Sequence, residues 1–206
     1  IKRDNNSILT DNILTHISNI DILNYEYVTT FEKKLSDYVN INNVVCVSNG
    51  TSALLLGMIA LGLKENDEII IPSYSYPSAL TISKYLKLNI KFCDIKYDTL
   101  CMDPDKLKMI ISKDTKAVIF IEHLGYCGED LIKVKNICDE YNTYLIEDSA
   151  QSLGQINKNV NKMGGTIGEF GIYSFSGTKL LRSSEGGCLI TNNNKISDRV
   201  KILRGI

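Results

Sequence analysis

From Val44 onward, short runs of β-branched and apolar residues alternate with stretches of helical periodicity. Residues 44–47 predict a strand, and residues 53–63 a buried helix. Residues 68–71 predict a second strand, stopped by Pro72. A helix over 79–86 leads to a strand over 90–93. Asp103 is placed to cap a helix over 104–111, with Pro104 in its first turn. A strand over 117–121, a helix over 131–141 and a strand over 144–146 follow. Another apolar strand-like run precedes Ser174, then come a strand over 188–191 and a helix over 195–203. The strands are apolar without polar alternation, so both faces of the sheet must be covered. Regular β-α alternation of this kind predicts an α/β fold, three layers deep (α/β/α), with a mostly parallel central sheet.

Residues 1–40 break the pattern. They read as an N-terminal helical arm of two polar amphipathic helices, one of them over 29–39, attached to a single domain over 41–206. Residues 152–168 are rich in Gly, Asn and Lys and read as an irregular loop or hairpin.

Composition narrows the classes. The chain has 206 residues, of which 44% are hydrophobic and 23% charged, enough to bury a sizeable core. A formal net charge of −1 gives no reason to expect nucleic acid or an anionic membrane as partner. No apolar run is long enough to span a bilayer. No signal peptide is visible, although the chain opens on Ile1 rather than Met, and the expected location is the cytoplasm. The six cysteines form no CxxC pair and mostly sit in apolar runs, as buried reduced thiols of a cytosolic protein do. With His16 and His123 as the only histidines, no spacing supports a metal site.

In parallel sheets, ligands gather at the carboxyl ends of strands. Gly50-Thr51-Ser52, Tyr74 to Tyr76 and Asp148 all fall there. Gly50-Thr51-Ser52 opens a helix, where backbone N–H groups favour an anion and the hydroxyls add donors; an ordinary N-cap uses the same residues. Asp148 ends its strand, where a carboxylate can hold a protonated pyridine nitrogen or simply cap a turn. Glu147 faces the other way if the strand geometry persists. Lys179 follows Ser174-Phe175-Ser176-Gly177-Thr178, with the turn Glu185-Gly186-Gly187 beyond. Most lysines are solvated surface residues, but this one is set among small residues that let backbone pass close to a ligand. Tyr76 offers a ring for stacking or for packing. His123 ends a strand, where a hydrogen-bonded structural role is the commoner one. A lysine, a strand-end acid and a phosphate cradle are together what pyridoxal 5'-phosphate (PLP) requires.

The blocks Ser48-Asn49-Gly50-Thr51-Ser52-Ala53-Leu54, Pro72-Ser73-Tyr74-Ser75-Tyr76, Ile146-Glu147-Asp148-Ser149-Ala150-Gln151, Tyr173-Ser174-Phe175 with Lys179, and Glu185-Gly186-Gly187 occur in that order. With Phe31-Glu32 in the arm, they resemble the DegT/StrS family of PLP-dependent sugar aminotransferases, of the aspartate aminotransferase-like fold type I. The resemblance implies that Lys179 is the Schiff-base lysine and proton shuttle, and that Asp148 partners the pyridine nitrogen. It implies that Gln151 lies near the ring hydroxyl, that Thr51, Ser52 and Ser174 hold the phosphate, and that Tyr76 stacks on the ring where Trp or Phe is common. It further implies amino transfer from glutamate to a nucleotide-linked keto sugar, for amino-sugar and surface-polysaccharide synthesis, in a homodimer with a shared active site. The family's dehydratase branch replaces the lysine with histidine, so Lys179 favours transamination. Family members continue past the position of Ile206 into the rest of the large domain and a small C-terminal domain, so the chain is expected to be the N-terminal part of such an enzyme, with 41–206 a PLP-binding large domain incomplete at its C-terminus. Two alternatives stay open: a truncated non-catalytic homologue acting as a binding or assembly partner, and a related PLP sugar dehydratase or epimerase.

Overall fold

A computed structural model describes residues 25–205. The first helix expected in the arm and His16 lie outside the described residues. The second arm helix is α1 (Glu26–Val39), which closes on Asn40 in the left-handed conformation. The chain then runs β1 (Asn43–Val47), α2 (Gly50–Leu61), β2 (Glu68–Pro72), α3 (Ser78–Tyr85), β3 (Asn89–Cys93), α4 (Pro104–Ile110) and β4 (Thr115–Ile121). After a short 3-10 turn at His123–Gly125 come α5 (Glu129–Glu140), β5 (Tyr144–Asp148), β6 (Ile156–Asn157), β7 (Lys162–Met163), β8 (Phe170–Ser174), β9 (Gly187–Thr191) and α6 (Asn194–Arg204).

Seven strands form one sheet in the order β1-β9-β8-β5-β4-β2-β3. The pairs β3–β2, β2–β4, β4–β5 and β5–β8 are parallel, whereas β9 runs against both of its neighbours, β8 and β1. The remaining pair, β6 with β7, is the hairpin expected within 152–168.

Successive residues of each strand enter different layers, which is why the strand sequences do not alternate with polar residues. In β2, Ile69 and Ile71 join Ala53, Leu54 and Met58 of α2 and Ile196 and Val200 of α6, while Ile70 joins Leu107 of α4 and Leu131, Val134 and Ile137 of α5. Leu35 and Val39 of α1 close a third cluster over Val44, Tyr173, Cys188 and Ile190. A half-buried ion pair fastens the arm: Arg204 Nη1 donates to Glu32 Oε1 and, at 2.9 Å, to the Cys46 carbonyl. All six cysteines are free.

Capping explains where the boundaries differ from the hydrophobic pattern. Helix α2 starts three residues before the apolar run because the Asn49 side chain accepts from Ser52 N at 2.8 Å. Asp103 caps α4 as expected, accepting from Asp105 N at 2.9 Å. Strand β4 starts earlier, at Thr115, whose hydroxyl donates to Glu68 Oε1 at 2.6 Å and so is satisfied inside the sheet.

Helix α2 lies flat on the sheet because Gly57 has no side chain. A Cβ there would come within 2.5 Å of the Phe170 ring and 2.7 Å of Leu189 Cδ1. We expect Gly57→Val to lower stability by about 2–3 kcal/mol through overpacking, measured by urea unfolding followed by circular dichroism.

Candidate active site

The register of the central strands brings the expected residues together. Ile121 at the end of β4 pairs with Asp148 at the end of β5, and Asp148 pairs with Ile172 of β8. Ser174 and Val47 both pair with Gly187, so the ends of β8 and β1 flank the start of the reversed strand β9. Over these ends lies a cleft of about 290 Å³. Thr51, Tyr76, Asp148, Gln151, Ser174 and Lys179 all line it. Ser52 does not: its hydroxyl lies 2.9 Å from Ser48 Oγ, one step further into α2.

The site has distinct ends. Close approach of α2 and β8 builds one of them, where a Cβ on Gly50 would sit 3.1 Å from Ser174 Cβ. The first N–H groups of α2 have no partner within the helix, and Asn49 satisfies that of Ser52, so those of Gly50 and Thr51 open on the cleft beside the two hydroxyls. The arrangement of amides and hydroxyls suits a phosphate. At the other end, Asp148 is only 6% exposed and its Oδ1 accepts from Ala150 N at 3.2 Å. Burial pushes its carboxyl above the usual range, and the nearby Lys179 ammonium draws it partly back. Such an acid suits a cationic ring nitrogen. Lys179 is half-buried and, among the described residues, is the one lysine lining the cleft. Gln151 accepts from Leu124 N at 2.9 Å, which fixes its side chain at the rim. Tyr76 is 67% exposed, leaving its ring open at the mouth. A phosphate end, an amine and a buried acid in one cleft fit PLP.

His123 lies beside this arrangement rather than in it. Its ring meets Tyr74 edge-on at 5.0 Å, burial lowers its pKa, and Nδ1 is buried without a partner among the described residues. Glu147 does face away from the cleft, as strand alternation requires. What the sequence reading missed is that Glu122 meets it there, both wholly buried. It also missed Asn49, Ser78, Ser176, Thr178 and Glu185, which share the lining. The available signal for Asn49 was its place before a helix, as a cap. For Glu122 it was an acid directly after the apolar run of β4.

Fold and site define an α/β domain whose strand-end cleft suits a phosphorylated cofactor. Residues 8–206 match the DegT/DnrJ/EryC1/StrS aminotransferase family, and the chain belongs to it. A GDP-perosamine synthase of Vibrio cholerae is 35% identical over 176 residues, 84% of this chain and 47% of that protein. An L-glutamine:2-deoxy-scyllo-inosose aminotransferase of Streptomyces kanamyceticus is 34% identical, over 84% of this chain and 40% of its own. Among solved structures, an E. coli GDP-4-keto-6-deoxy-D-mannose-3-dehydratase with bound hydrated PLP has a TM-score of 0.79 at 31% identity, over 84% of this chain and 45% of its own. The chain thus spans about half the length of the curated relatives it matches. The family is PLP-dependent.

Because Asp148 holds its proton more tightly in the folded chain than at its ordinary value of 3.8, the folded state binds more protons than the unfolded one above that pH. Stability must therefore fall as pH rises from there through the folded pKa. We expect Asp148→Asn to remove this loss, leaving the cofactor-free chain more stable than wild type at neutral pH. Urea midpoints between about pH 4 and 7 check it.

Proposed function

We propose that this chain is the cofactor-binding part of a PLP-dependent aminotransferase that moves an amino group from glutamate to a nucleotide-linked keto sugar, supplying amino sugars for surface polysaccharides or related glycans. The convergence of six residues from separate segments on one cleft carries this reading. PLP supplies the electron sink that makes the α-proton of an amino acid removable.

The chain's own residues do the rest. Thr51, Ser174 and the first amides of α2 bind the phosphate. Ser52 lies one turn-step behind them and supports the Ser48 hydroxyl. Asp148 holds the ring nitrogen in its protonated form. Its burial strengthens that contact, because no water competes for the charge. Gln151, anchored by Leu124 N, orients the ring hydroxyl, and Tyr76 covers a ring face. Lys179 Nζ would hold the cofactor and, once free, would take up and return the proton of the substrate carbon.

The GDP-perosamine synthase relative supports a nucleotide-sugar acceptor. The open mouth at Tyr76 supports a site completed by further protein, in a homodimer with residues 41–206 as its large domain and 1–40 as an arm. Six unpaired thiols support a reducing, cytoplasmic setting. Likeness to the E. coli dehydratase supports a second reading, sugar dehydration on the same scaffold.

We expect PLP added to the chain to be fixed on Lys179 by borohydride, identified by peptide mapping, with complete loss in Lys179→Ala. Fixation elsewhere, or none in a folded chain, overturns the cofactor assignment. With a keto-sugar nucleotide as acceptor, stoichiometric consumption of glutamate separates transamination from dehydration.

A further inference from the structure

Behind the cleft, on the opposite face of β5 from Asp148, two carboxyl groups are enclosed together. Glu122 and Glu147 are each 0% exposed. Gly165 N lies within reach of both, 3.2 Å from Glu122 Oε1 and 2.9 Å from Glu147 Oε2. Glu147 also accepts from Ile167 N at 2.6 Å and Gly168 N at 2.5 Å. Glu122 Oε2 accepts from the Ser152 hydroxyl. Among the described residues, no Lys, Arg or His is paired with either acid.

The chain is shaped around this pair. A Cβ on Gly164 would sit 2.1 Å from Glu122 Oε2, and Gly165 needs a φ of +87° to present its N–H to both. The pair also grips both ends of the turn that carries the site. The Glu122 N–H donates to the Asp148 carbonyl at 3.1 Å, while its side chain holds Ser152, which follows Gln151.

Two adjacent negative charges without a cation are too costly to bury, whereas a carboxylic acid donating to a carboxylate is not. Three backbone donors mark Glu147 as the charged partner. We propose that Glu122 and Glu147 share a single proton, carried on Glu122 and donated to Glu147, and that Glu122 is the positioning residue for the turn bearing Asp148 and Gln151. The proton assignment stands alone; the positioning role rests on the cofactor reading above.

The titratable neighbours add no charge. Burial pushes the Cys101 thiol up to about 11, and burial with the adjacent acids drives Cys127 and the Tyr173 phenol higher still. Burial, then the Glu147 carboxylate, likewise holds Glu122 well above the usual carboxylate range.

Infrared spectra of the cofactor-free chain in heavy water test the proton directly. In an Asp148→Asn background, which removes the other buried acid that holds its proton above the usual range, a protonated-carboxyl stretch persisting across the neutral range, and lost when Glu122→Gln is added to the folded chain, is expected. No such band in that background, or its survival when Glu122→Gln is added, overturns the assignment. This arm is independent of whether the chain binds PLP. For positioning, Glu122→Leu should weaken PLP binding about tenfold, the scale of one buried hydrogen bond left unmade, and shift the pH dependence of bound-cofactor absorbance. Glu122→Gln should recover most of the affinity, since its amide can still donate to Glu147 and accept from Ser152. Wild-type affinity and an unshifted pH profile in a folded Glu122→Leu overturn the positioning role. If that variant does not fold, Ser152→Ala, which removes the same grip from the other side, decides by the same two readouts. A wild-type chain that binds no PLP overturns the positioning role together with the cofactor reading.

Discussion

The alignment of strand ends across β4, β5 and β8 is the constraint on which the rest depends. Parallel pairing fixes Ile121, Asp148 and Ile172 in one row, and a slip of one residue would turn Asp148 into the layer now occupied by Glu147. Burial on both faces prevents that slip. Each strand residue has an apolar layer to fill, so Ile146 must meet the helices α2 and α6 while Leu145 meets α4 and α5. The hydrophobic effect thereby sets the position of a polar site that it does not touch.

Reversal of β9 is the second element of the arrangement. Its first residue, Gly187, pairs with the ends of both β1 and β8. A Cβ there would fall 2.4 Å from the Asn49 carbonyl carbon, so the glycine lets the start of β9 press against the cap of α2. That contact keeps the amide end of the helix beside Ser174. The Gly-rich turn that the sequence marks as permissive is thus needed for packing as much as for ligand access.

The layers were readable because their signal is local. Apolar runs bounded by Pro72, by Asp103-Pro104 and by glycines identify strands and helices one at a time, and the strand-end positions of Thr51, Tyr76 and Asp148 follow from the alternation. Lys179 stands out in the sequence only by its setting among small residues, and the resemblance supplies its role, since the loop that carries it has no periodicity. The course of residues 152–168 was not readable beyond a loop or hairpin, because its order comes from a distant acid: Glu147 accepts backbone N–H groups from Gly165, Ile167 and Gly168. Nothing in that segment's own sequence announces a buried carboxylate as its partner. Ser52, though adjacent to Thr51, departs from the lining because the helix has by then turned its hydroxyl toward Ser48.

Glu147 and Asp148 show two treatments of one cost. Both are buried acids on consecutive strand positions, and burial raises both above the usual carboxylate range. Glu147 is compensated by donors that the fold supplies, so its charge serves structure and has no need of a ligand. Asp148 receives one short-range amide and faces an amine across open space. Its compensation is left incomplete within the chain, and a cation entering the cleft completes it. A site that is polar, buried and under-satisfied is costly to the empty fold, and in the proposed function that same deficit is what would give a charged ring nitrogen its affinity. On the cofactor assignment proposed above, a ligand that pairs with Asp148 would stabilise the folded chain by binding it in preference to the unfolded one.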